Sequence, residues 1–204
     1  MEDGILIPVT RTGQPASAPV KVAPFTLIGA TTDEWGLLPS MVQRFKLRVR
    51  LVRMTPAEIA AALTKRAEQA GLKIAPEAVM MIAARSLGTP RLAITLLDNC
   101  QRTAKAQGGE EITPDIVTMT CKIWKIDSLG LDRTARQYLG FLAAAGGGPV
   151  KVNVLAAKLD GLSRLTVERK VEPDLVLLGL MEKQVAGRVL TQAGQEHLAK
   201  EGKP

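Results

Sequence analysis

Few side chains in this sequence combine a type and a spacing that could do chemistry. Arg91 follows Gly88-Thr89-Pro90 at the second position of an expected helix. Its guanidinium there lies beside backbone N–H groups with no helical partner, so both can face an anion. Thr31 follows the apolar run Phe25-Thr26-Leu27-Ile28-Gly29-Ala30. Its hydroxyl can sit at a strand's carboxyl end or simply bond its own turn. Arg44, thirteen positions later in Gln43-Arg44-Phe45, reads by itself as a surface arginine before a basic strand. Other chemistries have less support. His197 is the single histidine, which disfavours a histidine-centred metal site or triad. Cys100 and Cys121 fit neither a disulfide framework nor a zinc spacing and lie on apolar helix faces, as buried free thiols of a reducing cytoplasm would. No Gly-x-x-x-x-Gly-Lys-Ser/Thr occurs, and neither Asp33-Glu34 nor Glu110-Glu111 ends an apolar strand. The loop that cradles phosphates and the acid that holds magnesium are therefore both missing.

The elements that would position these residues change character along the chain. Pro8, Gly13, Pro15, Pro19 and Pro24 punctuate an exposed hairpin or loop over 8–24. Residues 25–30 read as a short buried strand. Strict alternation over 46–51 predicts a second strand, with Leu47, Val49 and Leu51 on one face and Lys46, Arg48 and Arg50 on the other. That basic face could line a ring pore or an intersubunit contact, or be a solvated edge.

From Thr55 the period becomes that of a helix. Thr55-Pro56-Ala57-Glu58 is a capping box with Ile59, Ala62, Leu63 and Ala67 inward and Gly71 as a stop. A helix over 76–86 follows, buried through Val79, Ile82 and Ala83. Thr89-Pro90 starts a third, with Leu92, Leu96, Cys100 and Ala104 in one stripe, and Thr113-Pro114 starts a fourth ending near Trp124. These make a helical domain over 55–127. A helix near 132–145, short helices near 152–160 and 164–178 (the latter interrupted at Pro173), and a hairpin around Val185-Ala186-Gly187 give the order of a winged helix-turn-helix. The fold class is mainly α with minor β.

The chain has 204 residues, 46% hydrophobic and 23% charged, which suits one domain or two small ones and excludes a disordered chain. No apolar run approaches the ~20 residues of a membrane helix, and acidic Met1-Glu2-Asp3 with Pro8 is unlike a secretory signal. Lys and Arg exceed Asp and Glu by 27 to 20, a net charge of +7 that suits a polyanionic partner.

Colinear motifs carry a resemblance. Phe25 to Thr32, Gln43-Arg44-Phe45, Gly88-Thr89-Pro90-Arg91, Gly147-Gly148-Pro149-Val150, Leu155-Ala156-Ala157, Glu172-Pro173 and Gly187-Arg188 resemble the RuvB family of AAA+ ring ATPases, in order from about Met1-Glu2-Asp3 to His197. The resemblance implies an ATP-dependent DNA translocase subunit for Holliday-junction branch migration in recombination and repair, acting as hexamers with a RuvA-like junction-binding protein. It implies Thr31 as sensor 1, Arg44 as the arginine finger offered in trans, and Arg91 as sensor 2, with ATP and Mg²⁺ as cofactors. Arg188 then matches the basic wing of a DNA-binding domain, with Arg164, Arg169 and Lys170 on the preceding helix, where Glu168 and Glu172 weaken the basic face.

The layout implied is an incomplete C-terminal end of the ATPase core over 1–54, a helical lid over 55–127, and a winged helix over 128–204. Without both phosphate motifs, this polypeptide is expected not to hydrolyse ATP alone. One departure lies before the finger, where the family usually has a second arginine and this chain has Met41-Val42-Gln43. The alternatives are a non-catalytic ring or adaptor subunit and a stand-alone winged-helix DNA-binding protein.

Overall fold

In the computed structural model, residues 5–14 and 17–201 are described, with the side chain of Leu6 excepted. The expectations that rest on Met1-Glu2-Asp3 and Pro15 lie outside them. The chain divides into two compact units, one ending at Arg50 and one beginning at Leu51.

In the first unit β1 (Ile5–Leu6) and β2 (Val20–Lys21) pair antiparallel, so the punctuated segment does form a hairpin. One short helix follows, α1 (Pro39–Val42). The strands expected at 25–30 and 46–51 do not form. Both segments lack regular structure, and Ile28 is 88% and Leu51 90% exposed. The reason is physical: a strand is held by its neighbours' backbone, and among the described residues no strand lies beside either segment.

The second unit holds two hydrophobic cores. The first is built by α2 (Pro56–Gln69), α3 (Pro76–Ala84), α4 (Pro90–Ala106) and α5 (Pro114–Trp124). A parallel pair of two-residue strands, β3 (Lys73–Ile74) and β4 (Glu111–Ile112), ties the two connecting loops together. The capping box is complete: Thr55 Oγ accepts from Glu58 N, and Glu58 Oε2 accepts from Thr55 N at 2.7 Å. Ile59, Leu63, Val79, Ile82, Leu96 and Cys100 fill the core as expected. Ala62 and Leu92 do not. Both face solvent, and Ala60, Ala93 and Leu97 take the buried positions, because each helix is rotated slightly from the stripe read in the sequence. Trp124, at the last turn of α5, is 53% exposed.

The second core is formed by α6 (Arg133–Ala144), α7 (Val152–Lys158), α8 (Arg164–Thr166), a π-helical turn (Val167–Val171), α9 (Glu172–Leu177), the hairpin β5 (Met181–Gln184) and β6 (Gly187–Leu190), and α10 (Gln192–Glu201). Val150 bridges Arg188 antiparallel, adding a third strand position to the hairpin. The interruption predicted at Pro173 falls one turn earlier, in the π turn. Proline has no N–H and its ring would strike the carbonyl four residues back, so widening the preceding turn relieves both problems.

The two cores are joined at 127–131. The buried Asp127 carboxylate accepts from Leu129 N (3.0 Å), Leu131 N (2.8 Å) and His197 Nε2 (2.8 Å), fixing the joint to α10. Gly130, at φ +88°, lies against the Arg85 carbonyl at the end of α3, where any Cβ would collide with backbone. Gly130→Ala therefore combines a clash with a left-handed backbone and should cost about 3 kcal/mol. A fall of roughly 6–12 °C in the melting temperature of the second unit is expected by scanning calorimetry.

Candidate nucleic-acid interface and exposed arginines

The helix that runs from α8 through α9 carries two carboxylates one turn apart, Glu168 and Glu172, facing the hairpin. Glu172 is fully buried and receives every cation within reach. Its Oε1 accepts from Tyr138 Oη at 2.9 Å and from Arg188 Nε at 2.9 Å. Its Oε2 accepts from Arg188 Nη2 at 3.2 Å and pairs with Lys183 Nζ at 2.6 Å. Glu168 Oε1 accepts from Arg188 Nη2 at 3.0 Å and from Arg164 Nε at 3.2 Å. Burial alone would raise the Glu172 pKa, but the hydrogen bonds from Arg188, Lys183 and Tyr138 outweigh it and hold the carboxyl below its ordinary value. The same charge, with burial as the larger cause, pushes the Tyr138 phenol up, while the Arg188 guanidinium is raised by its bond to Glu172.

Arg188 is thus held on all sides. Its side chain is 15% exposed, and its backbone exchanges hydrogen bonds with Val150 at 2.8 and 2.9 Å. Gly187 beside it has no room for a Cβ, which would meet the Val150 carbonyl oxygen at 2.6 Å. Arg164 is partly held through Glu168. Arg169 and Lys170 are exposed and have no ion pair among the described residues. The structure therefore brings Arg164 and Arg188 onto one carboxylate and leaves Arg169 and Lys170 apart from it.

Arg91 is exposed at the start of α4. Unlike Thr55 and Thr113, the N-cap Thr89 makes no side-chain bond to its helix. The turn before it is fixed from behind instead, by Met54 N to Gly88 O at 3.0 Å and Arg53 Nη1 to Leu87 O at 2.7 Å. A small apolar cavity of about 30 Å³ between α2 and α4 is lined by Ile59, Leu63, Pro90 and Ile94. In the first unit, Thr31 Oγ1 accepts from Asp33 N at 3.0 Å and so bonds its own turn, and Arg44 is exposed in the turn after α1. Among the described residues no cluster of His, Cys, Asp or Glu could hold a metal ion. The sequence carries no phosphate-cradling loop.

Sequence reading missed the Glu172 cluster as a structural unit. The available signal was a Glu pair at helical spacing followed by a hairpin with Lys183 and Arg188, plus the single tyrosine, Tyr138.

A four-helix module whose third helix opens on an exposed arginine, followed in the same compact unit by a winged helix, is the lid and winged-helix arrangement of an AAA+ protein. The family model described as the RuvB AAA lid domain matches residues 54–127, and that of the RuvB C-terminal winged helix domain matches 128–199. The chain belongs to the RuvB family. It is 39% identical over 183 residues to the Holliday junction branch migration complex subunit RuvB of Mycolicibacterium gilvum, covering 89% of this chain and 51% of that protein. The Mycobacterium avium subunit is 38% identical, with 52% of its length covered. Among solved structures, the Thermotoga maritima RuvB Holliday junction branch migration motor matches with a TM-score of 0.76 at 34% identity, over 90% of this chain and 61% of that one. The chain thus spans about half the length of the curated relatives it matches.

Glu172→Gln should destabilise the winged helix by about 3 kcal/mol at neutral pH, since it breaks a buried ion pair. The lowered pKa sets the sign of the pH dependence. Stabilisation from the carboxylate is whole above the unfolded value of ~4.3 and is lost as pH falls through the lower folded value. The melting-temperature gap between wild type and Glu172→Gln should hold steady from neutral pH to about pH 5 and narrow below about pH 4.

Proposed function

We propose that this chain acts as a RuvB-like subunit of the ATP-dependent motor that drives Holliday-junction branch migration in DNA recombination and repair. The observation that carries this reading is the colinear match of two consecutive RuvB modules over 54–199, extended by the Gln43-Arg44-Phe45 and Gly88-Thr89-Pro90-Arg91 motifs. On this reading residues 1–54 are the end of the ATPase core, 55–127 the lid and 128–204 the DNA-binding head.

On this reading these residues complete a nucleotide site whose phosphate loop and magnesium ligand are supplied by other residues, since neither motif occurs in the sequence. ATP with Mg²⁺ supplies the phosphoryl chemistry there. Arg91, exposed after a turn that Arg53 and Met54 hold from behind, is the lid's contact with a phosphate. Arg44, exposed in its turn, is offered to a neighbouring subunit's nucleotide, where a planar guanidinium neutralises charge on the transferring group. Thr31 is the sensor hydroxyl; while it accepts from Asp33 N, its own O–H stays available to donate. The winged helix binds the duplex arms of a junction presented by a RuvA-like protein, and the working form is a hexameric ring in the cytoplasm.

The test is complementation. Mixed with a RuvB subunit that bears the phosphate loop but carries an alanine at its own finger, the wild-type chain should raise ATP turnover in the presence of junction DNA. Arg44→Ala should abolish that rise, a loss of at least ~100-fold if the finger is fully engaged. Equal stimulation by both would overturn the assignment. Absence of any junction binding would favour a head that contacts protein.

A further inference from the structure

Four cations of the winged helix are candidates for DNA contact, yet the structure treats them unequally. Arg188 commits Nε and one Nη to two carboxylates, and Lys183 ends on the same Glu172 oxygen as that Nη. For Arg188 to reach a phosphate, it would abandon a carboxylate with no exposed surface. A buried charge deprived of its bidentate partner is strongly disfavoured, whereas a surface phosphate is already well solvated. The wing tip itself, Val185-Ala186, bears no charge, and Gln184 beside it on β5 is neutral; the next residue back, Lys183, is paired with Glu172, and Glu182 before it is acidic and exposed. The wing therefore presents little positive field despite carrying two cations in its sequence. Arg169 and Lys170, in the π turn, face solvent with no carboxylate in ion-pair range among the described residues.

The geometry points to a division of labour within the DNA-binding head: Arg188 is a positioning residue that braces the wing against the helix through Glu168 and Glu172, and the phosphate contacts with duplex DNA fall to Arg169 and Lys170. This rests on the DNA-binding reading above. Arg164 takes an intermediate place, since its Nε shares Glu168 with Arg188 while 61% of its side chain is exposed.

Because each neutralised phosphate contributes about 0.9 to the slope of log K against log salt, charge contact and bracing can be separated. Binding of the full chain to a labelled duplex of arbitrary sequence would be followed by fluorescence anisotropy across a salt series, well below each variant's melting temperature. Arg169→Ala and Lys170→Ala should each reduce the slope by about 0.9, with melting unchanged. Arg188→Gln and Arg188→Lys should both melt earlier and both keep the wild-type slope, because neither the lost charge nor the retained one meets DNA.

If Arg188→Gln loses about one unit of slope while Arg188→Lys keeps it, Arg188 touches phosphate and the division fails. If the wild-type chain shows no salt-dependent duplex binding at all, the DNA reading itself fails, a distinguishable result. Should the Arg188 variants not fold, the wild-type protein still decides by NMR. The Arg188 Nε–H should be protected from solvent exchange and should keep its chemical shift on adding duplex. A shift there, with none at Arg169 Nε–H, overturns the inference.

Discussion

One carboxylate, that of Glu172, organises the C-terminal head. Burying a lone charge costs several kcal/mol even after relaxation, so such a group persists only when its lone pairs are filled by good donors. Here the donors come from three separate elements: Tyr138 on α6, Lys183 on β5 and Arg188 on β6. Two of those elements are four-residue strands, and a hairpin that short has little stability of its own. The polar cluster therefore specifies an orientation that apolar packing would leave loose, since a methyl group tolerates sliding by an ångström and a bidentate guanidinium does not. Pro173 contributes indirectly. The π turn before it contains Glu168 and ends next to Glu172, and both still reach Arg188.

The joint between the two helical cores follows the same logic with different groups. Asp127 closes the 127–131 turn on its own backbone and binds His197, while Glu201 Oε1 accepts from Ser128 N. Hydrogen bonding to Ser128 lowers the Glu201 pKa, so the group is charged as its place near a free amide requires. On the far side Arg53 spans both cores, donating to Leu87 O and to Asp174 at 2.6 Å. Leu87 sits in the turn that presents Arg91. Arg53 thus ties the turn before α4 to α9 of the second core.

Helix positions were legible in the sequence because capping and period are local properties. Thr-Pro pairs at 55, 89 and 113 mark helix starts wherever their neighbours lie in space. The strands were not legible in the same way. Alternation at Leu47, Val49 and Leu51 records a face that suits a sheet, but a ladder needs a partner, and none lies beside these residues in the described structure. Pattern and structure disagree where the stabilising contact is non-local. Of the candidate site, Arg44 and Arg91 are exposed, as contact with a nucleotide requires. Their roles come from motif resemblance, since an exposed arginine beside a turn carries no signature of its own.

The winged helix shows why a sum of charges is a poor map of an electrostatic surface. Read along the chain, Arg188 and Lys183 count as two of the basic residues that make the protein cationic, and Glu168 and Glu172 count as dilution of a basic helix. In three dimensions the four cancel locally. Arg169 and Lys170, which sit between the two acids in sequence, are exposed and have no ion pair among the described residues. Field at a surface falls with distance and with screening, so an arginine neutralised within 3 Å contributes little at the distance of a docking phosphate. The two acids are taken up by Arg188, Lys183 and Arg164. On the division of labour proposed above, they sort the cations of this helix and hairpin into those that build the scaffold and those left to meet a polyanion.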